Sequence, residues 1–358
     1  MANSSKDHVL NTPPADAISS VVFSPSSSLL AIGSWDQHLH VYERSSGDSP
    51  FTLKQKIEFE APILDVQIND STAFCVGVDC TVRKIDLETG EQTVLSRHDE
   101  ASNKAAYSTE HGILLSTSWD GTLHVHQPES NDFIRVKLAA KPFAVSLTRE
   151  RAVVAMAERK VSIYDLTALK RLVEQTGGTA DHQSVLDMQP WQERESSLKF
   201  MTRAVACMPD GAGFTTSSIE GRVGVEWFDP EAQQNTYAFK CHRQMQKTVD
   251  ETGEEQDVDI VYPVNALAFH PVYGTFATGG GDGVVALWDA QTKRRVRQYH
   301  PLNSSVVAMS FSPDGKFLAI GVSPGFEDGK ESEDIDASQV KVVVRELADG
   351  EAKPKEKK

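Results

Sequence analysis

The chain has 358 residues, of which 39% are hydrophobic and 24% charged, a composition that allows a sizeable buried core and excludes wholesale disorder. The formal net charge of −15, from 51 acidic and 36 basic side chains, disfavours an unspecific binder of nucleic acid or of anionic membranes. The polar N-terminus leads into no apolar targeting segment and no run approaches 18 apolar residues, so we expect a protein of the cytosol or nucleus.

A three-part pattern of short apolar segments recurs seven times along the chain. Each copy has an alternating strand, a turn with Pro, Asp or Gly, a second strand ending in small residues, an acidic turn and a third strand. In chain order the copies occupy 18–42, 62–85, 104–126, 142–164, 202–227, 263–288 and 304–344. The acidic turn residues of the first six copies are Asp36, Asp79, Asp120, Glu158, Glu220 and Asp282. Their separations of 43, 41, 38, 62 and 62 residues indicate a repeat of about 40 with two insertions of about 20.

This repeat predicts an all-β fold, a seven-bladed β-propeller of WD40 repeats that occupies residues 1–348 as one domain. A single small sheet cannot bury both of its faces, so the units must pack around a ring. The sixth copy ends in Trp288-Asp289, the dipeptide typical of WD repeats. The seventh copy shows three strands, and we expect a strand at about residues 8–11 to complete it and close the circle.

Insertions are predicted at about 166–198 and 229–261. The first begins with Leu166, Leu169, Leu172 and Val173 at helical spacing, which indicates a short helix or an ordered loop. Acidic stretches at 250–259 and 327–336 are expected to be solvated loops. They carry net charges of −6 and −5, which leaves −4 on the other 338 residues, so the ring can present a basic face. Residues 349–358 are predicted to be a basic, disordered tail, with assistance to nuclear import as the alternative role of its lysines.

No catalytic or metal-binding motif is present in the sequence. The glycine-rich run 279–283 precedes a strand instead of a helix, so it predicts an inter-strand turn and not a phosphate-binding loop. The sequence has no histidine pair at zinc spacing, no Cys-x-x-Cys pair and no Gly-x-Ser-x-Gly elbow. We interpret turn acids such as Asp79 and Asp282 as scaffold residues that bond backbone amides. The sequence therefore predicts a protein that is not an enzyme and has reduced thiols, no metal and no cofactor.

Two tryptophans stand immediately before acidic turn residues. Trp35 and Trp119 are thereby placed at the end of a second strand, near one rim of the ring, where a large aromatic side chain can be partly exposed. Rim aromatics of this kind are frequent anchors for peptides. The alternative is that both rings pack between blades.

Four basic residues fall on the fifth repeat unit. Arg222 follows Gly221 in the acidic turn, Lys240 and Arg243 are expected in the outer strand of the same blade, and Arg203 in the first strand of the unit. Together they could form a pocket for phosphate or carboxylate, because arginine offers bidentate donors and lysine a point charge. A solvated blade edge is the alternative interpretation.

Several phrases of the sequence resemble the Bub-three type of mitotic checkpoint WD-repeat proteins. The match extends over nearly the whole chain and is densest at 194–289. The segments that carry it are 194–200, Thr202-Arg203, 217–223, 237–243, 262–266 and 276–280, together with Ser34-Trp35-Asp36 and Ser118-Trp119-Asp120.

The resemblance implies a non-catalytic scaffold of the spindle-assembly checkpoint, located in the nucleus and at kinetochores in mitosis. Members of this family bind GLEBS motifs of Bub- and Mad-type checkpoint kinases or pseudokinases and recruit them to phosphorylated MELT repeats of a kinetochore scaffold. By position, Arg222 and Lys240 would contact the phosphothreonine with support from Arg203, and Trp35 and Trp119 would line the GLEBS-binding face. The insertion at 166–192 and the acidic loop at 248–259 depart from the family pattern.

The alternative is an mRNA-export propeller of the Rae or Gle type, which binds a nucleoporin GLEBS motif and RNA. These relatives share Gly221-Arg222-Val223 and 239–243, whereas 194–200 and 276–280 favour the checkpoint family. The checkpoint interpretation predicts a monomer within a hetero-complex, with no membrane partner and no nucleic acid. A cryptic hydrolase is the third class, and no site for one can be assembled from the sequence.

Overall fold

The chain forms a ring of seven antiparallel sheets, the blades of a β-propeller, in a computed structural model that describes residues 5–45, 50–176, 184–249, 255–325 and 336–355. This architecture confirms the predicted seven-bladed fold. The first strands of neighbouring blades contact one another around a central channel, and the later strands of each blade follow outward.

The strands are numbered in chain order, and four belong to each blade. Blade 1 contains β2 (Ile18–Phe23), β3 (Leu29–Ser34), β4 (His38–Arg44) and β5 (Phe51–Glu58); blade 2 contains β6 (Ile63–Ile68), β7 (Thr72–Gly77), β8 (Thr81–Asp86) and β9 (Gln92–Arg97); blade 3 contains β10 (Ser102–Ser108), β11 (Ile113–Ser118), β12 (Thr122–Gln127) and β13 (Asp132–Lys137); blade 4 contains β14 (Pro142–Leu147), β15 (Arg151–Met156), β16 (Lys160–Asp165) and β18 (Gln192–Glu195). Blade 5 contains β19 (Thr202–Cys207), β20 (Gly213–Ser218), β21 (Arg222–Trp227) and β22 (Tyr237–Lys240); blade 6 contains β25 (Val264–Phe269), β26 (Phe276–Gly280), β27 (Val285–Asp289) and β28 (Arg294–Gln298); blade 7 contains β29 (Val306–Phe311), β30 (Phe317–Val322), β31 (Lys341–Glu346) and β1 (Lys6–Val9).

The N-terminal strand completes the last blade. β1 pairs antiparallel with β31, with Lys6 opposite Glu346, and the Leu10 amide continues the pairing by donating to the Val342 carbonyl at 2.9 Å. The strand therefore begins two residues before the expected segment 8–11 and ends at Val9. Because the two ends of the chain share one sheet, the ring has no open edge at its seam.

The hydrophobic core consists of clusters that each lie between two neighbouring blades. The second strands β3, β11, β20, β26 and β30 are buried at every position, because both of their faces are covered by adjacent blades. No blade can bury its faces without its neighbours, so the ring is stabilised as one unit.

Every blade has a β-bulge at the second residue of its first strand, where the register with the second strand shifts. The bulged residues are Ser19, Leu64, Asn103, Phe143, Arg203, Asn265 and Val307. A bulge re-aims the side chain of the extra residue, and all seven of these residues line the mouth of the central channel.

The first insertion attaches blade 4 to blade 3. Its helix α1 (Leu166–Thr176) buries Leu166, Leu169 and Val173 in the cluster shared by the two blades, which agrees with the helical spacing of these residues. The following strand β17 (Val185–Leu186) adds to β13 in parallel. Within the described residues, no helix is both long enough and apolar enough to cross a membrane.

The second insertion contains an exposed hairpin instead of a solvated loop. Strands β23 (Arg243–Val249) and β24 (Glu255–Val261) pair antiparallel between blades 5 and 6, so half of the predicted acidic loop 250–259 is strand. The prediction missed β24 because its alternating acids suggested solvation, and they are indeed solvent-exposed on a two-stranded sheet. Residues 250–254 and the acidic stretch 327–335 lie outside the described residues.

The C-terminal tail differs from its predicted disorder. Residues 349–355 are ordered, and Ala352 is buried with its carbonyl accepting from Thr275 Oγ1 at 2.7 Å. Glu351 is also buried, and its Oε1 lies 3.3 Å from Arg297 Nη1. The lysine-rich composition of the tail gives no indication that Glu351 and Ala352 are buried.

A hydrogen-bonded relay of four side chains, Asp282, His242, Thr278 and Trp288, crosses blade 6. Asp282, in the turn after β26, accepts from His242 Nδ1 at 2.8 Å, and it also accepts from the Val284 amide at 3.1 Å. Thr278 Oγ1 accepts from Trp288 Nε1 at 3.0 Å and donates to His242 Nε2 at 2.8 Å. Asp282 thus fixes both its own turn and the histidine that precedes the hairpin, as expected of a scaffold residue.

Asp282→Ala is expected to destabilise the protein by about 2 to 3 kcal/mol, because it leaves the buried His242 Nδ1–H and the Val284 amide without an acceptor. The matched variant is Asp79→Ala in blade 2, whose carboxylate pairs with Arg83 in a more exposed position. Urea unfolding of both variants provides the measurement. Equal losses in the two would contradict the assigned role of the blade 6 relay.

Blade 3 contains the same relay with a histidine in place of the tryptophan. His98 Nδ1 donates to Asp120 Oδ2 at 3.1 Å, and His98 Nε2 lies 3.0 Å from Ser116 Oγ. His126 Nε2 then lies 3.1 Å from the same hydroxyl, where blade 6 has the Trp288 indole.

A third histidine packs on this relay. The His124 ring is stacked on His98 with ring centroids 3.5 Å apart, and its Nδ1 lies 2.9 Å from Ser96 Oγ. Burial lowers the pKa of His98 and of His124, and it lowers the pKa of His126 to about 3. All three rings are therefore neutral at physiological pH.

Candidate functional site

A cavity of about 840 Å³ opens at the mouth of the central channel. It lies on the rim where the turns between second and third strands meet the connections between blades. Besides the seven bulged residues, its lining includes Ala15, Asp16, Ala17, Trp35, Lys104, Trp119, Met201, Thr202 and Ser323. This mixture of apolar walls and a few polar groups is typical of a binding site.

Trp35 and Trp119 both line this cavity and are 46% and 40% exposed. Their amides are bonded to Ala17 and Ala101, so the backbone at each tryptophan is fixed while the indole faces the rim. Lys141 Nζ lies 5.1 Å from the centroid of the Trp119 ring, a cation–π distance. The two rings therefore form a partly exposed pair in blades 1 and 3.

Further apolar side chains on the same rim were not predicted as site residues. Val78 and Ile219 occupy the position of the two tryptophans in blades 2 and 5, and both are exposed. Phe200 and Met201, just before β19, are exposed as well. Repeat register indicates the first two, but the sequence has no signal for the exposure of Phe200 and Met201.

Arg203 lies at the channel mouth and not beside Lys240, with which it was grouped from the sequence. The bulge in β19 directs it to the cavity of the tryptophans, where its Nη2 donates to Asn265 Oδ1 at 2.9 Å. Asn265 is in turn fixed by donating to Ser305 Oγ at 3.0 Å. The structure thus brings Arg203, Trp35 and Trp119 to one cavity.

Arg222 and Lys240 lie together at the outer part of blade 5. They are directly opposite each other in the pairing of β21 with β22, so their side chains share one face. Like charges in this arrangement repel each other, and an anion bound between them would remove the repulsion. The turn before Arg222 belongs to the same rim as the two tryptophans.

Arg243 completes a basic patch, defined here as Arg222, Lys240 and Arg243. Contrary to the prediction, Arg243 begins the hairpin strand β23 and does not belong to the outer strand of blade 5. Its Nη2 donates to the Glu220 carbonyl at 2.9 Å, which places its guanidinium over the turn that precedes Arg222. Its Nε is buried and has no hydrogen-bond partner among the described residues. Lys240, Arg243 and Arg295 also line a cavity of about 250 Å³ beside the patch, together with Asp282. This arrangement of donors suits an anion.

Three of the four cysteine thiols in the described part of the chain are buried, and Cys80 is partly exposed. Burial raises the pKa of the Cys207 and Cys241 thiols to about 12, and that of Cys75 still further. No group of three His, Cys, Asp or Glu side chains within the described ranges is arranged to hold a metal ion. The two sites described above offer binding groups.

The repeats match a known family model. Residues 5–43 and 261–289 match the model described as WD domain, G-beta repeat.

Full-length relatives are found among mitotic checkpoint proteins. The mitotic checkpoint protein BUB3.1 of Arabidopsis thaliana is 40% identical over 357 residues, which cover 97% of this chain and 95% of that protein. The spindle assembly checkpoint protein bub3 of Schizosaccharomyces pombe is 38% identical over 314 residues, 85% of this chain and 88% of that protein. A poly(A)+ RNA export protein of the same yeast is 30% identical over 360 residues, 99% of this chain and 94% of that protein.

Proposed function

Because the chain belongs to the bub3 family of mitotic checkpoint WD-repeat proteins, we propose that it is a non-catalytic scaffold that recruits checkpoint proteins to kinetochores. In this proposal it binds the GLEBS motif of a Bub- or Mad-type checkpoint protein and docks the complex on phosphorylated MELT repeats. The observation that carries the proposal is the 40% identity with a checkpoint protein over 97% of the chain.

Two separate sites on one rim support an adaptor function. The channel mouth with Trp35 and Trp119 offers apolar anchors, and Arg203 in the same cavity offers a cation for an acidic residue of a bound peptide. The basic patch on blade 5 is a separate site, because none of its three residues lines the cavity at the channel mouth. Arg203, which does line that cavity, is held there by Asn265. A chain with two such sites can hold two peptides at the same time.

The chemistry of the basic patch fits a phosphothreonine. A phosphate brings about −1.5 to −2 charges and three acceptor oxygens, so it forms charge-assisted hydrogen bonds that a bare threonine hydroxyl cannot form. Arg222 and Lys240 present their donors on one face. Phosphorylation of the partner by a kinase would thereby be converted into recruitment.

Trp35→Ala combined with Trp119→Ala is expected to weaken binding of a GLEBS-containing fragment by about 30-fold, since two exposed aromatic anchors are lost from the channel mouth. Co-purification of the fragment and a titration by calorimetry provide the measurement.

The matched control is Trp191→Ala. Trp191 is similarly exposed but lies at the outer edge of blade 4, with the Arg151 guanidinium 4.3 Å from its ring centroid. The control is expected to bind the fragment normally. Wild-type affinity in the double variant would rule out the channel mouth as the GLEBS site.

The export alternative has weaker support, because the poly(A)+ RNA export protein shares 30% identity where the checkpoint protein of the same yeast shares 38%. A fluorescent fusion distinguishes the two functions in cells. Accumulation at kinetochores in mitosis is expected, whereas staining confined to the nuclear rim would favour export.

A further inference from the structure

Both guanidinium groups of the basic patch are already paired with carboxylates of the chain itself. Glu220 Oε1 lies 2.8 Å from Arg222 Nε, an ion pair without hydrogen-bond geometry, and Arg243 Nη1 donates to Asp259 Oδ2 at 2.9 Å. Since Arg243 also donates to the Glu220 carbonyl, the two ion pairs form one connected network. Lys240, by contrast, has no ion-pair partner anywhere in the described ranges.

Asp259 reaches the patch through the register of the hairpin. The antiparallel pairing of β23 with β24 places Asp259 diagonal to Arg243 on the same face. Asp257 lies on that face too, but directly opposite Lys247 and farther along the hairpin. The two aspartates thus have the same charge and strand, and only Asp259 contacts the patch.

Three cations and two carboxylates leave the patch with one net positive charge. Any anionic ligand must displace these carboxylates or be repelled by them. Both are able to leave, because the side chains of Glu220 and Asp259 are 22% and 44% exposed to solvent. A ligand carboxylate would gain little from this exchange, since it replaces one carboxylate by another. A phosphate gains more, because its extra charge and third oxygen also reach Lys240.

We propose that Glu220 and Asp259 act as internal competitors at the basic patch and set the binding strength that an anionic ligand must exceed. They lower the affinity for every anion, so that a phosphothreonine peptide binds and a peptide with glutamate at the same place does not. The proposal rests on the proposed phosphothreonine binding at Arg222 and Lys240. It explains why a site built to bind an anion keeps two acids in contact with its arginines.

The test uses labelled peptides with the sequence Met-Glu-Leu-Thr at their centre, in which the threonine is unmodified, phosphorylated or replaced by glutamate. Fluorescence anisotropy gives their affinities for the full-length wild-type chain and for Glu220→Gln, Asp259→Asn and the control Asp257→Asn. The first two variants are expected to bind the phosphorylated and the glutamate peptides about three- to tenfold more tightly. Asp257→Asn, which changes the net charge equally, is expected to bind as the wild type does.

The outcomes separate this inference from the function on which it rests. If the wild type binds the phosphorylated peptide but Glu220→Gln and Asp259→Asn match Asp257→Asn, the carboxylates do not compete and the inference falls alone. Weaker binding by these two variants, with thermal unfolding unchanged, would mean that the acids position the arginines instead. If the wild type does not distinguish the phosphorylated from the unmodified peptide, the proposed phosphate binding fails, and this inference fails with it.

Discussion

Arg222→Glu is expected to abolish binding of a phosphothreonine MELT peptide, with the affinity falling by more than about 100-fold. The substitution removes the guanidinium and places a second carboxylate beside Glu220, so attraction of the phosphate becomes repulsion. The side chain of Arg222 is 35% exposed at the start of β21, and no loss of the fold is expected. Isothermal titration with the phosphorylated peptide measures the effect.

Lys137→Glu is the matched control for this prediction. Lys137 lies opposite Thr122 in blade 3, the register position that Lys240 has opposite Arg222 in blade 5. This variant has the same change in net charge, and we expect it to bind the peptide normally. Unchanged affinity in Arg222→Glu would show that the phosphate binds elsewhere.

Acidification from pH 6.5 to 4.5 is expected to destabilise the protein by about 5 kcal/mol through the buried His124 and His126 of blade 3, with a further loss from His98. Burial lowers the pKa of His98, His124 and His126 below the ordinary value of 6.5, so these rings stay neutral while the unfolded chain binds protons. Their contribution is complete above pH 6.5 and is lost progressively as the pH falls towards the lowered values. A loss of this size is comparable with the whole stability of a typical domain.

His124→Phe tests this pH dependence. The phenyl ring can still stack on His98 but cannot bind a proton, and the bond with Ser96 is lost. We expect the variant to be about 1 kcal/mol less stable at pH 7.5, with a pH slope about 1.4 kcal/mol per unit shallower below pH 6. Urea unfolding at pH 7.5 and below pH 6 measures both the stability and its pH slope. The control is His300→Phe, at an exposed histidine. An unaltered slope in His124→Phe would remove blade 3 as the cause of acid sensitivity.

The candidate site was predictable where it follows the repeat. Trp35 and Trp119 precede turn acids of the same repeat position, and the structure places both on one rim for that reason. Arg222 and Lys240 were grouped correctly on one blade, because they lie on β21 and β22, two paired strands that are close in sequence. In the same way, the alternation of short strands sufficed to predict the blades.

Arg203 shows the limit of prediction from sequence spacing. It lies only 19 residues before Arg222 in the chain, yet a β-bulge aims it into the channel while Arg222 lies at the outer part of the blade. A bulge depends on the pairing of two strands, and no residue type in β19 indicates its position. The contact of Asp259 with Arg243 depends in the same way on the register of a hairpin that was expected to be a loop.

By itself the sequence determined the number and order of the blades and the absence of recognisable catalytic motifs. This was possible because each blade is a local unit, whose strands and turns follow one another within about 40 residues. Only the tertiary structure decided which side chains meet: the ring of bulged residues around the channel, the paired carboxylates of the basic patch and the stacked histidines of blade 3. These groups come from strands of different register or from distant turns, and their distances exist only once the sheets are paired and the ring is closed.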